Sequence, residues 1–201
     1  EKGIQCKARI YKGNLQHCLP KLVEEVEPKM VLMGTTGAGS LSNSIFGSTT
    51  YSIVQTSTVP VLAIPENIEF TLSTNLLLAS DLSRADFNTS ILDYLSQLAK
   101  QIDAKLELLY VPDKSDSSGG LDKIITMLNE AGHEDLEIEM AKGLDYINAI
   151  EEYLEGHHND LFAMIISDKN VLEKFVFGSL SKKMIHHAKM PLLMIPRKID
   201  Y

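Results

Sequence analysis

The chain has 201 residues, 44% apolar and 23% charged, so it is long enough and apolar enough to bury a core. Its formal net charge of −8 at pH 7 disfavours nucleic acid and anionic membranes as partners, because both require clustered lysine and arginine. No apolar stretch approaches the ~20 residues of a membrane-spanning helix. Cys6 and Cys18 lack metal-ligand spacing, and unpaired thiols are typical of a reducing compartment, so we expect a cytoplasmic protein.

A glycine-rich segment near the N-terminus separates a predicted strand from a predicted helix. The apolar run from Met30 to Met33 predicts a buried strand, and Ile53 and Val54 continue the apolar face of the helix. Between them, residues 34–47 read GTTGAGSLSNSIFG. Bare backbone N–H groups and a helix N-terminus hold anions well. The alternative is a strand-to-helix turn capped by Ser48, which needs no ligand.

Five residues in and directly after this segment are candidates for binding phosphate. Gly34 and Gly37 let the backbone pass close to a pyrophosphate, where a Cβ would intrude. Gly47 opens the helix, so that Ser48 and Thr49 present N–H and hydroxyl donors to the terminal phosphate. We favour phosphate binding over a simple turn, because a turn does not require so many glycines.

The remainder of the chain alternates predicted strands and helices. Strands are predicted at Leu76 to Ala79, Leu106 to Val111, Leu136 to Met140, Leu161 to Ile166 and Leu192 to Ile195. Helices are predicted at Ile91 to Ile102, Leu121 to Leu128, around Ile147, Ile150 and Leu154, and at Ser179 to His187, with a loop over residues 113–120. This alternation predicts an α/β fold whose open parallel sheet has helices on both faces. Such sheets bind ligands at the carboxyl ends of their strands.

An internal repeat predicts two copies of one domain. The segment ending at Pro65 matches the segment ending at Pro196 without a gap, at an offset of 131. We expect residues 1–70 to be the C-terminal half of a first domain and residues 71–201 to be a complete second domain. The first domain is then expected to lack roughly its first 60 residues, and any targeting signal would lie upstream of Glu1.

The glycine spacing and the repeat resemble those of the universal stress protein family in its tandem arrangement. Nucleotide-binding members carry G-x-x-G, nine residues, then G-[ST], and Gly34, Gly37, Gly47 and Ser48 fit that spacing. The resemblance implies a Rossmann-like fold of the adenine nucleotide alpha hydrolase type, with ATP or ADP as ligand, with or without Mg²⁺. It also implies that an Asp ending the first strand and backbone groups of the second strand hold ribose and adenine.

The second copy departs from this glycine pattern. Gly34 and Gly37 align with Ile165 and Asp168, and a carboxylate at the second position would repel phosphate. Asp81 follows the first strand of the second copy, where a ribose-binding role and a turn-capping role are equally open. The sequence therefore predicts a phosphate loop in the first copy and a degenerate second copy, without a complete site in either.

Two short apolar runs, Val61 to Ile64 and Leu192 to Ile195, are bracketed by prolines and are predicted as short edge strands. An exposed apolar edge requires a partner. The resemblance implies that the two runs pair antiparallel across a pseudo-twofold axis, as in the homodimers of the family. The alternative is that each pairs with another molecule, giving a homodimer of the whole chain.

Three classes of function remain open. The favoured one is a nucleotide-binding stress-response module with a regulatory role and at most slow ATP hydrolysis. The second is a dimerising scaffold of the same family that binds no nucleotide. The third, an enzyme of adenylate chemistry, is disfavoured because residues 34–47 contain no Asp, Glu, Lys or His.

Histidine positions do not predict a metal site. His157 and His158 are adjacent, as are His186 and His187, and adjacent residues on a helix do not face one another. His17 and His133 are isolated, and we expect both at the surface.

Overall fold

The computed structural model describes residues 3, 5–35, 48–65, 68, 75–80, 89–112, 120–141, 146–157, 160–166 and 190–197. The helices in these ranges are α1 (Leu15–Val26), α2 (Ser48–Thr56), α3 (Thr89–Ile102), α4 (Gly120–Glu130) and α5 (Tyr146–Gly156). The strands are β1 (Val31–Gly34), β2 (Val61–Ile64), β3 (Asn75–Ser80), β4 (Lys105–Tyr110), β5 (Glu137–Met140), β6 (Leu161–Ile166) and β7 (Leu192–Pro196). None of these helices is long and apolar enough to cross a bilayer.

The strands form one seven-stranded sheet in the order β1-β2-β7-β6-β3-β4-β5. Neighbouring strands are parallel except β2 and β7, which run antiparallel with Leu62 opposite Leu193. Helices cover both faces of the sheet, so the predicted α/β fold class is confirmed. Burial on both faces explains why the central strands are almost continuously apolar, as in Leu76–Ala79 of β3.

Two apolar clusters lie on opposite faces of the sheet. The α2/α5 core comprises the buried residues Ile53, Val54, Val61, Ala63, Leu77, Ala79, Leu109, Val111, Ala141, Ile147, Ala149, Ile150, Tyr153, Phe162, Met164, Met190, Leu192 and Met194. The α3/α4 core comprises Leu76, Leu78, Ile91, Leu92, Tyr94, Leu95, Ala99, Leu108, Tyr110, Ile124, Leu128, Leu161, Ala163, Leu193 and Ile195. Each fully buried aliphatic side chain contributes about 1.5–3 kcal/mol of transfer free energy, so these clusters are the main stabilising element.

Local signals fix the bounds of α1, which buries none of its own residues. Gly13 has φ of +125°, a conformation that glycine adopts readily, and it immediately precedes the helix cap. Asn14 then caps the helix, because its side-chain oxygen accepts a hydrogen bond from the Gln16 N–H at 3.0 Å. The helix ends at Glu27, which lies in the left-handed region with φ of 47°.

The expectation that β2 and β7 are edge strands is wrong for the sheet as a whole. Each has a hydrogen-bonded neighbour on both sides, because β2 lies between β1 and β7, and β7 lies between β2 and β6. The edges are β1 and β5. On β5, Glu137 and Glu139 are exposed, and edge charges of this kind disfavour pairing with another chain. On β1, Leu32 is 62% exposed. The predicted helix Ser179 to His187 lies outside the described residues.

Candidate functional site

The glycine-rich segment joins the carboxyl end of β1 to the N-terminus of α2. Gly34 is the last residue of β1, is exposed, and is in register with Ile64 of β2. The backbone N–H of Thr35 donates to the carbonyl of Ile64 at 3.0 Å, and Thr35 is buried. Because α2 begins at Ser48, both ends of the segment are held by regular structure.

The N-terminal turn of α2 can receive an anion. The first turn of α2 contains no acidic side chain, and the first N–H groups of an α-helix have no partner within the helix. Thr49 is exposed, whereas Thr50 is buried and faces the protein interior. Ile53 and Val54 anchor the next turn in the α2/α5 core. The helix therefore combines a first turn without acidic side chains with an apolar face packed in the α2/α5 core.

Part of the predicted phosphate site lies in the described ranges. Gly34 and Thr49 are described, and so is the start of α2 at Ser48. Gly37, Gly47 and the side chain of Ser48 lie outside the described residues, so their contribution stays a prediction.

In the second repeat, the strand end that corresponds to Gly34 carries a bulky apolar side chain. Ile165 of β6, at the position equivalent to Gly34, is half-buried and packs against the α3/α4 core. A branched side chain replaces the bare backbone at this position. Asp168 and Asp81, the two other residues on which the sequence comparison rests, lie outside the described residues.

The carboxyl ends of β3, β4 and β5 are tied to one another by backbone hydrogen bonds. The N–H of Val111 donates to the carbonyl of Ser80 at 3.1 Å, and the N–H of Ala141 donates to that of Tyr110 at 2.9 Å. The Tyr146 hydroxyl donates to the carbonyl of Ala79 at 3.1 Å. The N-terminus of α5 is thereby fixed against the end of β3.

His133 is not the plain surface residue that its isolation in the sequence suggested. Its Nε2 lies 3.0 Å from Oδ1 of Asp93, and its side chain is only 13% exposed. The pair joins α3 to the turn between α4 and β5. No local sequence signal indicates this contact, because the two residues are 40 positions apart. His17 is exposed, as expected.

His157 stacks on Tyr153, with ring centroids 4.0 Å apart and ring planes within 5° of parallel. Its Nδ1 lies 2.9 Å from the carbonyl oxygen of Tyr153. Burial, with smaller effects from Glu139 and other nearby carboxylates, raises the pKa of Tyr153 to about 12. Across the described ranges, no three His, Cys, Asp or Glu side chains cluster in a way that could hold a metal ion.

Comparisons with known proteins give consistent results. Residues 1–65 match the model of the universal stress protein family. Universal stress protein MJ0531 of Methanocaldococcus jannaschii is 26% identical over 132 residues, which are 56% of this chain and 77% of that protein.

A similar fold occurs in the crystal structure of a universal stress protein from Archaeoglobus fulgidus. It has a TM-score of 0.62 and 21% identity, covering 91% of this chain and 66% of that one, so this chain spans just under two thirds of its length. A shorter universal stress protein from Archaeoglobus fulgidus, solved in complex with dAMP, covers 62% of this chain and 99% of its own length. Its identity is 15% and its TM-score 0.39, so dAMP is a finding about that protein alone.

Proposed function

We propose that this chain is a member of the universal stress protein family, a stress-response module that binds an adenine nucleotide through its first repeat. The observation that carries the proposal is the geometry around the glycine segment. A parallel strand ends at Gly34, and α2 begins at Ser48 with no carboxylate in its first turn. Bare backbone followed by a helix N-terminus is a common arrangement for binding phosphate.

We assign the phosphates to Gly34, Gly37, Gly47, Ser48 and Thr49. The net charge of −8 supports a compact site, because an anionic ligand has to be held by local donors and not by the overall field of the protein. We propose ATP or ADP, with or without Mg²⁺, as the ligand. Because residues 34–47 contain neither a general base nor a carboxylate for a metal ion, the proposed role is binding and not catalysis.

We propose that residues 1–70 and 71–201 are two units related by the repeat, and that only the first binds nucleotide. Ile165 supports this difference, since it fills with a packed side chain the position that Gly34 leaves bare. We also propose that the two units associate with each other within one chain, and not with the units of a second subunit. The β2–β7 pair supports this proposal.

The test is calorimetric titration of the chain with ATP and ADP, each with and without Mg²⁺, and with dAMP as a further probe. We expect saturable heat for the unaltered chain and none for Gly37→Val. The matched control is Gly39→Val, a change of the same size in the same segment but off the G-x-x-G spacing, which should retain binding. If the unaltered chain shows neither heat nor a thermal shift with any of these nucleotides, the non-binding scaffold becomes the better account.

A further inference from the structure

The α2/α5 core contains residues from both repeats. From the first it takes Ile53 and Val54 of α2 and Val61 and Ala63 of β2, each no more than 5% exposed. From the second it takes buried residues of β6 and β7 and the apolar face of α5, namely Phe162, Met164, Leu192, Met194, Ile147, Ala149, Ile150 and Tyr153. The helix that follows the glycine segment therefore belongs to the same buried apolar cluster as α5.

The opposite face of the sheet is organised differently. Among the described residues, the buried members of the α3/α4 core all come from the second repeat, and the first contributes only the partly buried Met30 and Leu62 at its margin. The described side chains of α2 take no part in that cluster. Packing thus connects α2 with one face of the second repeat and not with the other.

We propose that a restraint on the N-terminal turn of α2 is transmitted through Ile53 to α5, and not to α4. Ile53 lies five residues after Ser48, about 7.5 Å along the helix axis, and close-packed interiors transmit small displacements. The nucleotide as the source of the restraint rests on the proposed function. A ligand at the first repeat would then alter the stability of one face of the second, which is a means of signalling without a second ligand.

The first experiment is hydrogen exchange of the chain with and without Mg·ATP, with calorimetry on the same samples. We expect slower exchange in residues 146–156 and unchanged exchange in residues 120–130. Heat of binding with no change in residues 146–156, or with equal slowing in both helices, overturns the relay while the nucleotide proposal stands. Absence of heat overturns the nucleotide as the source of the restraint.

The second experiment tests the packing path without any ligand. Ile53→Ala leaves a cavity in the α2/α5 core, so residues 146–156 should exchange at least about tenfold faster while residues 120–130 change little. The matched control is Ile124→Ala in α4, at a position 4% exposed in the α3/α4 core. Ile124→Ala should accelerate exchange in residues 120–130 and leave exchange in residues 146–156 nearly unchanged. Equal acceleration of both helices by Ile53→Ala would mean general destabilisation and would overturn the relay.

Discussion

Leu62 lies directly opposite Leu193 in the antiparallel β2–β7 pair, and Leu193 is also its equivalent in the repeat, 131 positions later. On either side of this pair, Val61 faces Met194 and Ala63 faces Leu192. If each residue is replaced by its equivalent 131 positions away, the same three pairs are obtained. A local pseudo-twofold axis therefore passes between the two leucines. β2 and β7, which carry the two matching sequence segments, thus lie side by side in one continuous sheet.

Introducing a charge at this axis should destabilise the whole chain. Leu193 is fully buried, and an uncompensated buried charge costs about 3–5 kcal/mol, so Leu193→Lys should lower the free energy of unfolding by that order. Leu62→Lys should cost less, because Leu62 is only partly buried. Both variants should also be cleaved faster by protease between β2 and β3.

The matched control is Leu32→Lys on β1, which is in register with Leu62 but 62% exposed. It should change the free energy of unfolding by no more than about 0.5 kcal/mol, as measured by urea denaturation. If all three lysine variants unfolded at the same urea concentration as the unaltered chain, the leucine pair would not hold the repeats together.

Hydrophobic periodicity predicted most elements of the fold. The helix expected at Ile91 to Ile102 is α3, two residues longer at its start, and the strand expected at Leu161 to Ile166 is β6. Both follow from local patterns, since an apolar face at helical spacing or a continuous apolar run depends only on nearby residues. The family resemblance drawn from the glycine spacing agrees with the family model that matches residues 1–65.

Contacts between distant parts of the chain were harder to predict. Proline at either end predicted Val61–Ile64 as an edge strand, and only the family resemblance, not the local pattern, implied the antiparallel pairing with β7 that places it inside the sheet. The contact of His133 with Asp93 depends on how α4 and α3 pack, which no local pattern encodes. Of the predicted phosphate site, Gly34 is the last residue of β1 and α2 begins at Ser48, while the binding roles of all five residues stay predictions.

Removing the cap of α1 should loosen that helix. None of the α1 side chains is fully buried, although Leu19 packs against the α2/α5 core, so the cap should contribute measurably to the order of this helix. Asn14→Ala removes the acceptor for the Gln16 N–H and should cost about 1 kcal/mol, roughly a fivefold increase in amide exchange over residues 15–26. Asn14→Ser keeps a capping oxygen and should stay close to the unaltered chain. Equal exchange in all three proteins would show that the cap has no energetic role.

Stability should fall at high pH because of Tyr153. Its pKa of about 12 in the folded chain exceeds the ordinary value of about 10, since burial disfavours the phenolate. The folded state therefore retains the proton more tightly than the unfolded state. This contribution to stability is complete below about pH 10 and is lost as the pH rises towards 12.

Urea denaturation between about pH 9 and about 11.5 measures this loss. In Tyr153→Phe, the free energy of unfolding should fall less steeply with rising pH. In Tyr11→Phe, changed at an exposed position, it should fall as steeply as in the unaltered chain. A decline that is equally steep in the Tyr153→Phe variant and in the unaltered chain would contradict the role of this phenol.

Equilibrium dialysis of the unaltered chain measures the stoichiometry of Mg·ATP binding, and so tests directly whether the first repeat alone holds a nucleotide. Only the first repeat has glycine where Ile165 stands in the second, so we expect saturation at one nucleotide per chain and no binding to Gly37→Val. Two nucleotides per chain, or one that persists in Gly37→Val, would contradict the assignment of the site to the glycine segment of the first repeat.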